Sequence, residues 1–141
     1  MSKFQNIVAS RLAQGAIPAT VTNIISFYIS PTNNPQATNQ VTPTTVQTYL
    51  KDMDICNTTS SSISVYIFIV QNGSTAVANG NGSYTGGVSN GLGNALFYNT
   101  PIPANSVVQW TGTQILNPGD SIQGFATATG CVLTISGAQA T

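Results

Sequence analysis

The chain has 141 residues, 41% of them hydrophobic and only 4% charged, with no net charge and no histidine. This length suits one domain with a sizeable core, whereas an ordinary soluble domain has about 25% charged residues. The composition excludes a nucleic-acid partner, because no basic patch could neutralise phosphates, and a membrane helix, because no apolar stretch approaches about 18 residues.

Residues 1–18 are predicted to form an N-terminal arm. Four apolar residues recur there at helical spacing, which permits a short helix: Phe4, Ile7, Val8 and Leu12. Gly15 and Pro18 would then end it. We expect the arm to lie against another chain or along its own body, and the four apolar residues are candidates for that contact.

The rest of the chain, residues 19–141, is predicted to form the body of the domain. Its first two strands are predicted at residues 20–29 and 46–56, and a proline-rich loop lies between them. In the second of these strands Tyr49, Lys51, Met53 and Ile55 alternate with Leu50, Asp52 and Asp54. This alternation predicts that the Met53 side faces inward and that the two aspartates face outward.

The segment 63–70 is the strongest predicted strand. It is apolar on both faces, so we expect it to be central in its sheet or covered on both sides. Residues 71–94 then contain more than half of the 13 glycines. This long excursion is predicted to lie on the surface, with a hairpin around Tyr84, and serves either as a tolerated insertion or as a loop that a partner orders.

Short strands return near the C-terminus, at residues 95–98, 107–110, 114–116, 121–126 and 131–136. Pro101 and Pro103 mark a bend or an edge strand, because proline donates no ladder hydrogen bond. Residues 117–120 predict a turn in which Gly119 has positive φ and the Asp120 carboxylate binds local backbone amides. About eight short strands predict an all-β fold, a single antiparallel β-sandwich or jelly-roll-like domain with an extended N-terminal arm.

The residues that usually carry catalysis are scarce. Without histidine, the Ser-His-Asp and Cys-His arrangements are absent. Asp52 and Asp54 are spaced as a glycosidase pair or part of a calcium site could be, but we interpret them as solvent-facing charges that blunt a strand edge. The sequence therefore predicts no catalytic residue, no cofactor and no metal site, and we expect the protein not to be an enzyme.

The two cysteines, Cys56 and Cys131, lie in apolar strand-like segments. A disulfide between them requires neighbouring strands, and we favour free thiols over a bridge. The aromatic residues leave a second choice open: Trp110, Tyr84 and Tyr98 could line a carbohydrate groove, although a single Trp in an apolar strand more often belongs to the core.

Five segments of the chain carry a resemblance to known proteins: YLKDMDICNTT (49–59), SVYIFIV (64–70), TPIPAN (100–105), ILNPGDSI (115–122) and LTISG (133–137). In this order, and over residues 46–137, they resemble small virion structural proteins of tailed bacteriophages. In that group, a strand ending in a Cys-Asn or similar pair precedes a strand of bulky apolar residues, and a Gly-Asp turn follows. The long Gly/Asn-rich loop and the very low charge of this chain depart from the pattern.

The resemblance implies a component of the virion, assembled in the bacterial host cytoplasm, whose partners are the major capsid protein or other virion subunits. Its leading implication is a capsid cement or decoration protein, and the runner-up is a tail or baseplate subunit. The near absence of charge independently favours association, so we expect a homo-oligomer, with a trimer favoured. The candidate interface residues are the arm residues together with Tyr84, Tyr98 and Trp110.

Overall fold

The computed structural model describes residues 7–19, 25–31, 47–72, 76–78, 84–86 and 95–140, and these residues contain ten β-strands and no helix. In chain order the strands are β1 (Ile7–Ala16), β2 (Ile25–Ile29), β3 (Gln47–Asn57), β4 (Ile63–Val70), β5 (Ala76–Ala78), β6 (Tyr84–Gly86), β7 (Ala95–Ile102), β8 (Val107–Leu116), β9 (Ser121–Ala126) and β10 (Cys131–Ala140).

Eight of these strands form two antiparallel sheets that pack against each other. Sheet A has the order β1-β10-β3-β8, and sheet B has the order β2-β9-β4-β7. Buried side chains from both sheets, such as Met53 and Ile135 from sheet A and Ile67 and Ile122 from sheet B, form one core between them. The predicted all-β sandwich is confirmed.

The strands pair in a nested order, β1 with β10, β2 with β9, β3 with β8 and β4 with β7. This nesting results when one long antiparallel ribbon is rolled up, and it is the strand order of a jelly roll. β5 and β6 form a separate antiparallel pair within residues 71–94, where Tyr84 lies opposite Ala78.

The described part of the arm is β1, so the predicted short helix is wrong. β1 pairs with β10 along its whole length and thus lies along its own body. An isolated helix of this length would be marginal, whereas the edge of β10 provides hydrogen-bond partners for a strand. A register shift around Leu12 places both Leu12 and Ala13 against the core, which gives apolar residues of a strand a spacing like that of a helix.

A bulge in β3 interrupts the alternation that the sequence predicts. Met53 is fully buried, and Asp52 and Asp54 lie on the outer face, as predicted. Leu50 is also fully buried, so its predicted grouping with the aspartates is wrong. The register between β3 and β10 shifts at Lys51, and a slip of one residue moves the neighbouring side chains to the opposite face.

The prediction for β4 is confirmed, since it lies between β9 and β7 and is buried on both faces. Ile63, Val65 and Ile67 point into the main core. On the other face, Phe68 and Val70 join Phe125 of β9 in a second buried cluster. Sheet B is therefore covered on its outer side at this place as well as on its inner side.

The turn at residues 117–120 has the predicted geometry. Gly119 has a φ of 84°, a conformation that glycine adopts without a Cβ penalty. One carboxylate oxygen of Asp120 accepts a hydrogen bond from the amide of Asn117 at 2.9 Å, as predicted, and the other accepts one from the amide of Asn72 at 3.0 Å. The backbone of Asp120 also bonds to Ser30, so this turn ties three segments together.

Pro101 lies within β7, which is an edge strand of sheet B, so the predicted edge position is confirmed. Cys56 and Cys131 lie on the adjacent strands β3 and β10 but belong to opposite faces, and both thiols are free. Burial, followed by the effect of Cys56, raises the pKa of the Cys131 thiol.

Candidate interaction surfaces

The described residues contain no cluster of three or more His, Cys, Asp or Glu side chains that could hold a metal ion. Asp52 accepts a hydrogen bond from Nε2 of Gln109 at 2.9 Å on the solvent side of sheet A. β3 lies between β10 and β8, so the prediction that Asp52 and Asp54 blunt a strand edge is wrong. These carboxylates instead add charge to the middle of an outer sheet face.

Within the part of the chain that the structure describes, there is no helix long and apolar enough to cross a membrane.

The structure separates the arm residues that we proposed as an interface. Ile7 begins β1 and is 66% exposed, whereas Leu12 is half-buried and packs against the core. Val8 lies opposite Gln139 in the sheet, but its side chain is outside the described residues. Phe4 is also outside them. Ile7 alone of this group is a described, exposed apolar side chain.

The three proposed aromatic residues also lie apart. Tyr84 is described only as the first backbone position of β6. Tyr98 lies on β7 of sheet B and is 43% exposed, while Trp110 lies on β8 of sheet A. Because β8 and β1 are opposite edges of sheet A, Trp110 and Ile7 share no surface. The seven predicted contact residues therefore do not form one site.

Trp110 belongs to the margin of the core. It lies opposite buried Met53 and packs against the main cluster. Its ring covers Gly112, where an added Cβ would come within 2.9 Å of Cζ2 of the indole. This packing agrees with the core interpretation of Trp110 and leaves little of the ring for a ligand.

Tyr98 is part of an aromatic group on sheet B. Tyr66 stacks on Phe125 with ring centroids 4.5 Å apart and meets Tyr98 edge-on at 5.3 Å. The Tyr66 hydroxyl donates to Oδ1 of Asn99 at 3.0 Å. Burial, and secondarily the neighbouring Tyr98, raises the pKa of Tyr66.

Two rows of apolar residues cross the outer face of sheet A, one residue from each strand. The first apolar row consists of Ala16, Val132, Cys56 and Val107. The second apolar row consists of Ala9, Ala138, Tyr49 and Ile115. Polar residues, among them Asp52 and Asp54, separate the two rows. Every member of both rows is at least partly exposed, and Val107 and Ile115 are 58% and 53% exposed.

Sequence reasoning missed these rows because it divided β8 into two strands. The predicted strands stop at residue 110 and resume at residue 114, but the structure shows one continuous strand through Gly112. Val107 and Ile115 are eight residues apart and hence on the same face of a continuous strand. The even spacing between these two apolar residues is the sequence signal that could have revealed the rows.

The chain is thus a jelly-roll sandwich in which two apolar rows cross the outer face of sheet A. In comparisons with known proteins, no family model matches this chain, and no curated protein or solved structure is significantly similar to it. Functional inference therefore rests on the surfaces themselves.

Proposed function

We propose that the protein is a structural subunit of a tailed-phage virion, acting as a capsid cement or decoration protein that bridges and stabilises major capsid subunits. The observation that carries this proposal is the outer face of sheet A, with its two exposed apolar rows. Contiguous exposed apolar surface on a folded domain is typical of protein contact sites. The sequence resemblance over residues 46–137 supports the same class of function.

The low charge of the chain supports burial between neighbours. Lys51, Asp52 and Asp54 lie on the outer face of sheet A, but the apolar rows themselves contain no charged residue. A partner that contacts either row alone removes little charge from water, whereas a partner that covers both rows must also supply polar groups for these three charges, which lie between the rows. Many copies, each making a modest contact, would together give a strong attachment through multivalency.

The proposal is tested in particles purified from lysates that contain the protein. Quantitative mass spectrometry is expected to find a copy number comparable with that of the major capsid subunit, and an electron-microscopy map is expected to show sheet A facing the shell. Absence of the protein from every particle would refute the proposal. A small copy number that follows the symmetry of a tail would favour the tail or baseplate alternative.

A matched pair of variants tests whether the apolar rows make the contact. Val132→Lys places a charge in the first apolar row, whereas Thr134→Lys places the same charge two residues along β10, opposite Asp54. Both positions are half-buried. We expect V132K to lose particle binding while T134K keeps it, with both variants showing unaltered far-ultraviolet circular dichroism. Equal binding by both variants contradicts the assignment of the contact to the apolar rows.

A carbohydrate-binding module is a second candidate, favoured by the exposed ring of Tyr98 beside Tyr66 and Asn99. Jelly rolls also occur in lectins, and aromatic faces bind sugars well. Glycan-array binding that is lost in Tyr98→Ala, with the fold intact, would support this function. A glycan array without binding would remove it.

A further inference from the structure

β8 differs from the other sheet edges. It is ten residues long and contains neither a charged residue nor proline. Among the other edge strands, β7 contains Pro101 and two register shifts, β2 has five residues, and β1 carries Arg11 beside a register shift. Natural proteins protect exposed edges by such means. The pairing of β8 with β3 also shifts register, between Thr111 and Gln114. Among the described edge strands of eight or more residues, β8 is nevertheless the one that has neither a charged residue nor a proline.

The outward-facing residues of β8 are self-complementary. They are the five odd-numbered positions, all exposed: Val107, Gln109, Thr111, Thr113 and Ile115. Thr111 is the middle one of three polar residues in this series. One apolar residue lies four positions before it, Val107, and one lies four positions after it, Ile115. An antiparallel copy of this strand, rotated about Thr111, would place apolar residues opposite apolar residues and polar residues opposite polar residues.

We propose that two copies of this chain pair through β8, antiparallel and about a two-fold axis at Thr111. Val107 then lies opposite Ile115 of the second copy, and Thr111 lies opposite Thr111 of the second copy. The two sheets A become one continuous eight-stranded sheet. Such an isologous contact closes on itself, because both copies use the same surface.

The pairing also joins the apolar rows. The first apolar row ends at Val107 on β8, and the second ends at Ile115 on the same strand. Across the two-fold axis, the first row of each copy continues directly into the second row of the other. The dimer therefore has two uninterrupted apolar rows, each crossing all eight strands. No other register of β8 against itself produces this match.

The backbone geometry permits this arrangement. In an antiparallel ladder, alternate residues of an edge strand direct their N–H and C=O groups away from the sheet. Because the axis passes through a residue pair, hydrogen bonds form whether the odd or the even residues of β8 point outward, and the pairing has to accommodate the register shift that β8 shows against β3 between Thr111 and Gln114. No like charges meet, since β8 contains no charged side chain.

The inference concerns contact between copies and goes beyond the proposed function, because the dimer would form in solution without a virion. The proposed function and the dimer can also fail separately. A chain that is built into particles without pairing through β8 would retain the proposed function and refute the dimer.

Cysteine crosslinking tests the register in the full chain. In a Cys56→Ser background, Thr111→Cys brings the two thiols together across the axis, at a Cα separation of about 4.5–5.5 Å, which a disulfide spans. Thr113→Cys is the matched control, because it replaces the same residue type on the same exposed face. In the proposed dimer, residue 113 of one copy lies about 14 Å from residue 113 of the other, a distance that follows from the rise per residue of a strand.

With oxidised glutathione, we expect T111C to accumulate a disulfide-linked dimer that reducing agent removes, whereas T113C forms no disulfide-linked dimer. Dimer in neither variant, or equally in both, overturns the proposal. Sedimentation velocity provides a second measurement: Thr111→Lys places two cations together and is expected to abolish the dimer seen for the unmodified chain, whereas T134K is expected to retain it. Species that grow beyond a dimer would indicate head-to-tail pairing of β8 with β1 and would also overturn it.

Discussion

Asn57 is the buried polar residue whose removal has the clearest expected cost. It is fully buried at the end of β3. Its Nδ2 donates to the carbonyls of Ser61 at 2.7 Å and Ile102 at 2.9 Å. Its Oδ1 accepts from the amide of Thr59 at 3.0 Å and from the Thr59 hydroxyl at 2.8 Å. One side chain thus holds the β3–β4 turn against the end of β7.

Asn57→Ala removes all four hydrogen bonds. The Ser61 carbonyl keeps the Thr59 hydroxyl at 3.0 Å, and the Ile102 carbonyl keeps a longer bond from Ser62 at 3.4 Å. The Thr59 amide keeps no hydrogen-bond partner among the described residues. A lost bond costs about 0.5–1.5 kcal/mol and an unsatisfied buried group about 1–3 kcal/mol, so we expect the free energy of unfolding to fall by about 3 kcal/mol.

Urea unfolding followed by the fluorescence of the single tryptophan, Trp110, measures this loss. Ser60→Ala is the control, because Ser60 is exposed in the same turn and such surface changes stay within about 0.5 kcal/mol. A loss in N57A below about 1 kcal/mol, less than one buried bond contributes, would refute the reasoning.

Asn57→Asp separates hydrogen bonding from packing. An ionised carboxylate there would face two carbonyl oxygens, and only the protonated acid can donate, so the pKa of the introduced acid is raised in the folded state. A raised folded pKa gives stability that is present in acid and is lost as pH rises. N57D is therefore expected to approach or exceed N57A in mild acid and to fall below it near neutral pH.

Tyr66 should ionise above its ordinary pKa of 10.0, so stability should fall as pH rises past that value, and Tyr66→Phe should remove the last step of a tyrosinate absorbance titration. A last step that remains in Y66F contradicts this. With a thiol reagent at neutral pH, half-buried Cys56 should react faster than buried Cys131. Cys56→Ser should therefore abolish the fast phase of the reaction. A fast phase that survives in C56S would belong to Cys131 and would contradict this prediction.

Much of the fold could be predicted from local patterns. β4 was predicted to be central or covered on both sides because residues 63–70 are apolar on both faces of the strand. The turn at Gly119 was predicted from the conformational preferences of its residues. These predictions depend on neighbouring residues alone. Strand order could not be predicted in this way, since it depends on which distant strands share hydrogen bonds.

The candidate surface was harder to predict for a related reason. The bulge at Lys51 exchanges the faces of β3, and nothing in the local pattern around Lys51 marks it. Gly112 falls between two predicted strands, whereas in the structure it lies within β8 and leaves room for the Trp110 ring. Each of these features depends on contacts across a sheet, so the apolar rows became visible only with the register known.

The nested strand order has a consequence for how this chain folds during synthesis. β10 joins β1 to β3 in the middle of sheet A, yet it is translated after both. Until residues 131–140 leave the ribosome, β1 lacks the strand it pairs with, and β3 has one side open. Such long-range pairing folds slowly and leaves unpaired edges available for aggregation. A chain with so few charges has little electrostatic repulsion to prevent that, so its yield in cells should depend strongly on expression temperature and chaperone supply.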